Sequence, residues 1–182
     1  MIIVSTDGSC LKNPGGAIGW AWVAHDGGSR SGGDVSGTNQ IAELWALVEA
    51  IVSHPGPEPL LIESDSQYAI KCASEWLPGW KRKGWKTSSG GAVKNLELVQ
   101  DIDRAITERS GPVRFRWVRG HVGNHFNEMA DQLAGEAARA VRSDPGQARP
   151  WRGLARPDTA PAPAPAPAPV TAGEPEPLLT LF

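Results

Sequence analysis

Short apolar runs rich in β-branched residues recur along this 182-residue chain, and turn signals stop each of them. The apolar runs at residues 2–6 and 17–25 and a polar, Gly-rich segment at residues 29–37 follow one another closely across Gly- and Pro-rich turns, so they predict an antiparallel three-stranded meander. Shorter buried strands are predicted at residues 60–62 and 113–118. With the helical patterns between them, the order βββαβα…αβα predicts an α/β domain with a mixed sheet.

Helical periodicity fills the spaces between these strands. Thr38 or Asn39 can cap the first helix, and Pro55 and the prolines after it end that helix. The predicted helices span about residues 39–53, 66–77, 93–108 and 127–141.

The chain changes character after the last helix. Residues 160–169 are five Ala-Pro pairs, which cannot form a helical ladder and prefer an extended conformation. The final residues, 178–182, are apolar again. We therefore predict a folded domain over residues 1–142, a disordered Pro/Ala-rich linker over 143–177 and a short interaction motif over 178–182.

Composition excludes several classes of protein. Hydrophobic residues make up 40% of the chain and charged residues 21%, which excludes wholesale disorder. No apolar run approaches the roughly 18 residues of a membrane helix, and the amino terminus does not resemble a signal peptide. The two cysteines, Cys10 and Cys72, suit a reducing compartment. We expect a cytoplasmic protein, a monomer, with no membrane segment.

The net charge of −2 conceals an uneven distribution of charge. Residues 1–75 carry a net charge of −6, residues 76–119 carry +6, and residues 120–182 carry −2. Within residues 76–95, called the basic arm below, Trp76, Trp80 and Trp85 alternate with lysines and an arginine. Basic groups with interleaved indoles suit a nucleic acid, although charge alone is equally compatible with a solvated surface helix.

Four carboxylates occupy positions where apolar residues are expected. Asp7 lies at the end of the first predicted core strand and Asp65 just beyond the end of the fourth. Glu43 lies among apolar residues in the first helix, and Asp131 borders the inward face of the last one. Each alone would usually be a helix cap or an ion-pair partner. Four together would repel one another unless divalent cations neutralised them. Ligand sets made only of oxygen select Mg²⁺, and no Cys/His spacing typical of zinc occurs.

These residues carry a resemblance to a known family. Four motifs have the order and spacing of type 1 ribonuclease H: Thr6-Asp7-Gly8-Ser9-Cys10, Thr38-Asn39 before Glu43, Ser64-Asp65-Ser66-Gln67-Tyr68, and Gly120-His121-Val122-Gly123 before Asn127, Glu128 and Asp131. The resemblance covers residues 1–142, and the basic arm resembles the "handle" of the bacterial enzymes. It implies a ribonuclease H-like fold with a five-stranded mixed sheet. It also implies an endonuclease that uses two Mg²⁺ ions, with Mn²⁺ as the alternative, to hydrolyse the RNA strand of RNA–DNA hybrids.

The resemblance also implies roles for particular residues. Asp7, Glu43, Asp65 and Asp131 match the metal-binding carboxylates, and His121 matches a loop histidine of proton transfer or product release. For His121 the alternative is a surface histidine, and for Cys10 a redox or metal-binding role. The expected substrate contacts are Cys10, Asn13, Asn39 and Gln67 in the minor groove, Thr38 and Asn95 at a DNA phosphate, and Trp80, Lys81, Arg82, Lys83, Trp85 and Lys86 in the basic arm.

The apolar end of the chain carries a second resemblance. Leu178-Leu179-Thr180-Leu181-Phe182 is similar to the peptide with which bacterial proteins bind the replication sliding clamp. Leu179, Leu181 and Phe182 fit its pattern, whereas Leu178 stands where a glutamine is usual. The resemblance implies that these side chains anchor in an apolar pocket of the clamp. The alternative is a terminus without function.

Two other functions remain open for the domain. One is a hybrid-binding module without catalysis, which the retention of four mutually repelling carboxylates disfavours. The other is a nuclease of the same fold that cuts DNA junctions, which the basic arm and the residues matching 2′-hydroxyl contacts disfavour. The preferred interpretation is hydrolysis of hybrids such as R-loops and primers.

Overall fold

A computed structural model describes residues 1–120 and 122–154 and shows a five-stranded sheet in the order β3-β2-β1-β4-β5. The strands are β1 (Ile2–Cys10), β2 (Ile18–Ala24), β3 (Ser29–Asp34), β4 (Leu60–Ser64) and β5 (Val113–Trp117). The first three pair antiparallel, and β4 pairs parallel with both β1 and β5. The predicted mixed α/β sheet is confirmed.

The helices are α1 (Asn39–Ser53), α2 (Gln67–Lys71), α3 (Leu77–Arg82), α4 (Leu96–Glu108) and α5 (His125–Ser143). Thr38 caps α1, because its side-chain oxygen accepts a hydrogen bond from the Ile41 N–H. The helix predicted to end near residue 77 instead continues to Arg82 through a π-helical turn, Cys72–Trp76. Pro78 lies in the first turn of α3, directly after the π-helical turn.

Two glycines set the distance between the sheet and the helices on its two faces. A Cβ on Gly8 of β1 would lie 2.3 Å from the Glu43 nitrogen in α1, and one on Gly19 of β2 would lie 2.0 Å from the Ala134 oxygen in α5. Gly8 and Gly19 point to opposite faces, since Gly19 pairs with the neighbouring residue Ser9. Helices α1 and α5 therefore lie against opposite faces of the sheet.

The first strand is longer than its sequence suggests. The sequence predicts that the strand ends at Asp7, yet β1 continues to Cys10 because β2 stays paired with it through the Cys10–Ile18 pair. The parallel pairing with β4 ends earlier, at Ser5 and Glu63. Asp7 therefore lies inside β1, just beyond the point where its pairing with β4 ends.

Residues that follow the last helix pack on the domain. The Arg149 N–H donates to the Gly33 oxygen at 2.9 Å. Trp151 packs edge-on against Trp45 of α1 with ring centroids 5.3 Å apart. The Leu154 N–H donates to Asp101 of α4 at 3.1 Å. An aromatic contact and two hydrogen bonds from backbone N–H groups therefore hold residues 149–154 against the domain.

The Ala-Pro pairs and the apolar end of the chain lie outside the described residues. Among the helices of the described part, none is long and apolar enough to cross a membrane.

Candidate active site

Three of the predicted metal-binding carboxylates come together above the sheet. Asp7 of β1, Glu43 of α1 and Asp65, which follows β4, each offer an oxygen within 4.8 Å of the other two. Asp7 and Glu43 are buried, and Asp65 is half-buried. Because carboxylates repel one another at this separation, such a cluster requires either bound protons or a cation.

Local backbone geometry explains why the three can approach so closely. The missing side chain at Gly8 lets α1 lie directly on β1, which brings Glu43 beside Asp7. On the other side of the cluster, a Cβ at Gly120 would lie 2.1 Å from the Asp65 Oδ2 atom. Two glycines of the ribonuclease H-like motifs thus leave room for the carboxylates rather than serving as turns alone.

The fourth carboxylate, Asp131 of α5, acts on the cluster through Asp7. Burial is the largest cause that raises the pKa of Asp7 to about 8, followed by the charge of Asp65, and Asp131 adds to the rise through its charge and a side-chain hydrogen bond. Burial also raises the pKa of Glu43 well above its usual range, with the charges of Asp7 and Asp65 adding to the rise. The metal-free cluster therefore holds protons near neutral pH.

Each carboxylate of the cluster receives a hydrogen bond that orients it. The Gly8 N–H donates to Asp7 Oδ1 at 2.8 Å, and Asn39 Nδ2 donates to Glu43 Oε1 at 3.4 Å. Asn127 Nδ2 of α5 donates to Asp65 Oδ2 at 3.3 Å.

Sequence reasoning places Asn127 in a motif but gives it no role. Its side chain is almost fully buried, at 1% exposure, and it touches the site through Asp65. The signal in the sequence is its spacing, four residues before Asp131, which places both on one face of α5.

One buried atom of the cluster lacks a partner. Glu43 Oε2 accepts no hydrogen bond from any group in the described part of the chain. A buried, charged carboxylate oxygen without a donor is costly, and either a proton or a cation removes that cost. The donor set is oxygen only, so the residues present fit a hard divalent cation such as Mg²⁺.

Several predicted substrate contacts lie on the segments that adjoin the carboxylates in the fold, called the rim below. Asn13 in the β1–β2 turn accepts a hydrogen bond from the Asn39 N–H at 3.3 Å, so these two are neighbours at the start of α1. Cys10 ends β1, and Gln67 begins α2 with its side chain exposed. Asn95 lies beside α2, where its Nδ2 donates to the Tyr68 hydroxyl at 3.1 Å.

The basic arm is partly engaged with the rest of the domain. Lys81 forms an ion pair with Asp103 of α4, with Nζ and Oδ2 2.8 Å apart. Trp80 and Trp85 are half-buried and pack against the core, so only part of each ring is open to a ligand. Arg82, Lys83 and Lys86 are exposed.

The remaining predicted residues, His121 and the end motif with Leu178, Leu179, Leu181 and Phe182, lie outside the described residues. The loop beside His121 is described: the Gly123 N–H donates to Glu128 Oε1 at 2.9 Å, which ties the loop to the first turn of α5.

Comparisons with known proteins agree with this geometry. The RNase H family model matches residues 1–139. Ribonuclease H of Anaeromyxobacter sp. (strain K) is 42% identical over 156 residues, which cover 80% of this chain and 84% of that protein. Ribonuclease H of Xanthomonas campestris pv. campestris (strain 8004) is 43% identical over 144 residues, covering 78% and 94%.

A solved structure is similar as well. The crystal structure of LC9-RNase H1, a type 1 RNase H with the type 2 active-site motif, matches with a TM-score of 0.66 at 30% sequence identity, covering 76% of this chain and 72% of that chain. Family model, relatives and fold agree over the part of the chain that carries the carboxylate cluster. The chain therefore belongs to the ribonuclease H family and is a ribonuclease H enzyme.

Proposed function

We propose that this enzyme cuts the RNA strand of RNA–DNA hybrids internally with two divalent cations, leaving 5′-phosphate and 3′-hydroxyl ends. The observation that carries the proposal is the cluster of Asp7, Glu43 and Asp65 within 4.8 Å of one another. The family to which the chain belongs supports the substrate, and the cluster supports the cations.

Asp7, Glu43, Asp65 and Asp131 are the residues that would hold the cations. Mg²⁺ is the proposed ion, with Mn²⁺ as the alternative, because hard cations prefer carboxylate oxygens. Two such ions supply a metal-activated water as nucleophile and charge stabilisation for the leaving 3′-oxygen. Asp131 contributes from the α5 side, where it already influences Asp7.

The chain's own residues orient this site. Asn39 and Asn127 each donate to one oxygen, of Glu43 and of Asp65, which would limit the reorientation of these carboxylates when cations bind. His121 is proposed to move a proton during cleavage or to assist product release, since a histidine titrates near neutral pH.

Recognition of the hybrid is proposed to occur along the rim beside α1 and α2. Cys10, Asn13, Asn39 and Gln67 would contact the minor groove, where the 2′-hydroxyl distinguishes RNA from DNA. The adjacency of Asn13 and Asn39 supports this, because both sit at the amino-terminal end of the helix that carries Glu43. Thr38 and Asn95 are proposed to hold a DNA phosphate.

The basic arm is proposed to grip the DNA strand. Exposed Arg82, Lys83 and Lys86 supply charge, and the open parts of Trp80 and Trp85 supply stacking surfaces. Lys81 would exchange its partner Asp103 for phosphate when substrate binds.

A substrate panel tests the proposed function. Labelled RNA–DNA hybrid, RNA duplex, DNA duplex and a DNA junction are each incubated with the full chain in Mg²⁺ and in EDTA. We expect cleavage of the hybrid alone, only with Mg²⁺, with 5′-phosphate ends. Hybrid binding without cleavage would instead support a non-catalytic module, and cleavage of the junction alone would support a junction nuclease.

A tether is proposed for the tail. Leu178, Leu179, Leu181 and Phe182 would bind the bacterial sliding clamp, and the Ala-Pro pairs would act as a stiff spacer. This action would bring the nuclease to replication forks in the cytoplasm, where RNA primers lie in hybrids. Equal capture of the clamp by the full chain and by a Leu181→Ala, Phe182→Ala double variant would contradict the tether.

A further inference from the structure

A polar cluster on the α5 face of the sheet, separate from the carboxylates, connects three strands with the start of α5. Its members are Ser5 of β1, His25 after β2, Glu63 of β4 and Arg116 of β5. Ser5 pairs with Glu63 and Glu63 with Arg116 across the sheet, so the three side chains share one face.

The cluster fixes the His25 ring from several directions. The His25 backbone N–H donates to the Ile3 oxygen at 2.9 Å, and its Nε2 lies 3.0 Å from Ser5 Oγ. The same nitrogen lies 3.6 Å from Glu63 Oε2, and Glu63 accepts a hydrogen bond from Arg116 Nε at 2.8 Å. Glu63 is only 3% exposed, so the interaction with Arg116 compensates a buried charge.

Phe126 rests flat on this fixed ring. The ring centroids of His25 and Phe126 are 3.9 Å apart, with an angle of 15° between the planes. Phe126 is the second residue of α5 and immediately precedes Asn127, which donates to Asp65. The stack thus connects the sheet to the turn of α5 that reaches the active site.

Both strands held by the cluster carry a site carboxylate two residues further along. Ser5 precedes Asp7 on the same face of β1, and Glu63 precedes Asp65 at the end of β4. A displacement of Phe126 would therefore move α5 relative to the strands that carry these carboxylates.

We propose that His25 and Phe126 are positioning residues, whose stack sets the location of the first turn of α5 and thereby brings Asn127 and Asp131 to Asp65 and Asp7. The expected effect on kcat rests on the proposed function, whereas the expected effect on the position of Asn127 does not. His25 and Phe126 act on the site carboxylates indirectly, through Asn127 and the first turn of α5.

Substitutions at Phe126 distinguish the effect of losing the stacked ring from the effect of losing apolar volume. Phe126→Leu keeps an apolar side chain but removes the flat stack, and Phe126→Tyr keeps the ring. His54→Ala is the matched control, because it removes a histidine–aromatic contact of a different kind, edge-on with Trp22 at 4.7 Å, in another part of the domain. Circular dichroism and thermal unfolding establish that each variant is folded.

Two readouts are measured for each variant. The kcat for hybrid cleavage should fall roughly 10- to 100-fold in Phe126→Leu with KM changed less than about twofold, because small displacements of positioned groups affect the chemical step. In Mg²⁺-free protein, the Asn127 side-chain amide protons, followed by NMR, should exchange with water about tenfold faster than in wild type. Phe126→Tyr and His54→Ala should match wild type in both.

The outcomes distinguish this inference from the proposed function. Wild-type exchange and wild-type kcat in Phe126→Leu would overturn the positioning role. Faster Asn127 exchange in Phe126→Leu alone, in a protein whose wild type does not cleave hybrid, would support the positioning role and overturn the proposed function.

Discussion

Replacing Asp7 with asparagine is expected to stabilise the metal-free protein while abolishing cleavage. Burial, the charge of Asp65 and the influence of Asp131 raise the pKa of Asp7 from 3.8 to about 8. Between these two values the folded protein holds a proton that the unfolded chain has released, so the stability of the metal-free protein falls as the pH rises through this window. The stability is greatest below the ordinary pKa.

The magnitude follows from the two pKa values. About three pH units separate the ordinary pKa from pH 7, and each unit corresponds to about 1.4 kcal/mol, so keeping Asp7 protonated at pH 7 costs about 4 kcal/mol. Asparagine mimics the protonated form, and its Oδ1 can still accept the Gly8 N–H, which lies 2.8 Å from Asp7 Oδ1. Asp7→Asn should raise the free energy of unfolding by up to about 4 kcal/mol at pH 7 and by clearly less at pH 5.

Urea denaturation in EDTA measures this difference directly. Glu136→Gln is the matched control, since Glu136 is exposed on α5 and away from the cluster; we expect it to change the free energy by less than about 0.5 kcal/mol. A raised pKa of Asp7 is refuted if Asp7→Asn is no more stable than wild type at pH 7 in EDTA, or if its gain in stability is as large at pH 5 as at pH 7.

Three further predictions concern other parts of the molecule. The double variant Arg82→Ala, Lys83→Ala should weaken hybrid binding. The slope of log K against log salt concentration should become shallower by about 0.9 for each phosphate that the variant no longer neutralises. Fluorescence anisotropy across a salt series measures this slope, and an unchanged slope would contradict the prediction. Gly8→Ala should lower Tm and abolish hybrid cleavage, because its Cβ would lie 2.3 Å from the Glu43 nitrogen and push α1 from the sheet; a variant with wild-type Tm and kcat would exclude this packing. Trp151→Ala should lower the free energy of unfolding by about 2 kcal/mol, because the packing of its ring against Trp45 is removed, whereas an unchanged urea midpoint would show that residues 144–154 do not stabilise the domain.

Most of the strands and helices could be predicted from sequence because they follow from local signals. Apolar runs predict β1, β2, β4 and β5, the turn before it predicts the polar strand β3, and the Thr38 cap predicts the start of α1. The carboxylates stood out because an acid among apolar neighbours, such as Glu43, has few structural explanations. The resemblance predicts that these carboxylates lie close together. The structure shows why they can do so, because Gly8 and Gly120 have no side chains.

Features that depend on tertiary contacts could not be predicted. The extension of β1 past Asp7 depends on its pairing with β2, because nothing in the residues Gly8 and Ser9 favours a strand. The packing of residues 144–154 depends on a groove that exists only when α1 and α4 are in place, and Trp151 resembles a loop residue until then. The hydrogen bond from Asn127 to Asp65 joins residues that are 62 positions apart, so no local sequence pattern predicts it.

The central proposal is that the cluster of Asp7, Glu43 and Asp65 catalyses cleavage of the RNA strand of a hybrid. The most direct measurement is the cleavage rate of a hybrid with one strand labelled at a time, for wild type and for Asp65→Asn, in Mg²⁺. Asn127 still has an oxygen acceptor at position 65 in this variant, so the change removes charge rather than shape. We predict that wild type cuts only the labelled RNA strand and that Asp65→Asn cuts neither. Cleavage by Asp65→Asn at the wild-type rate, or cleavage of the DNA strand by wild type, would contradict the claim.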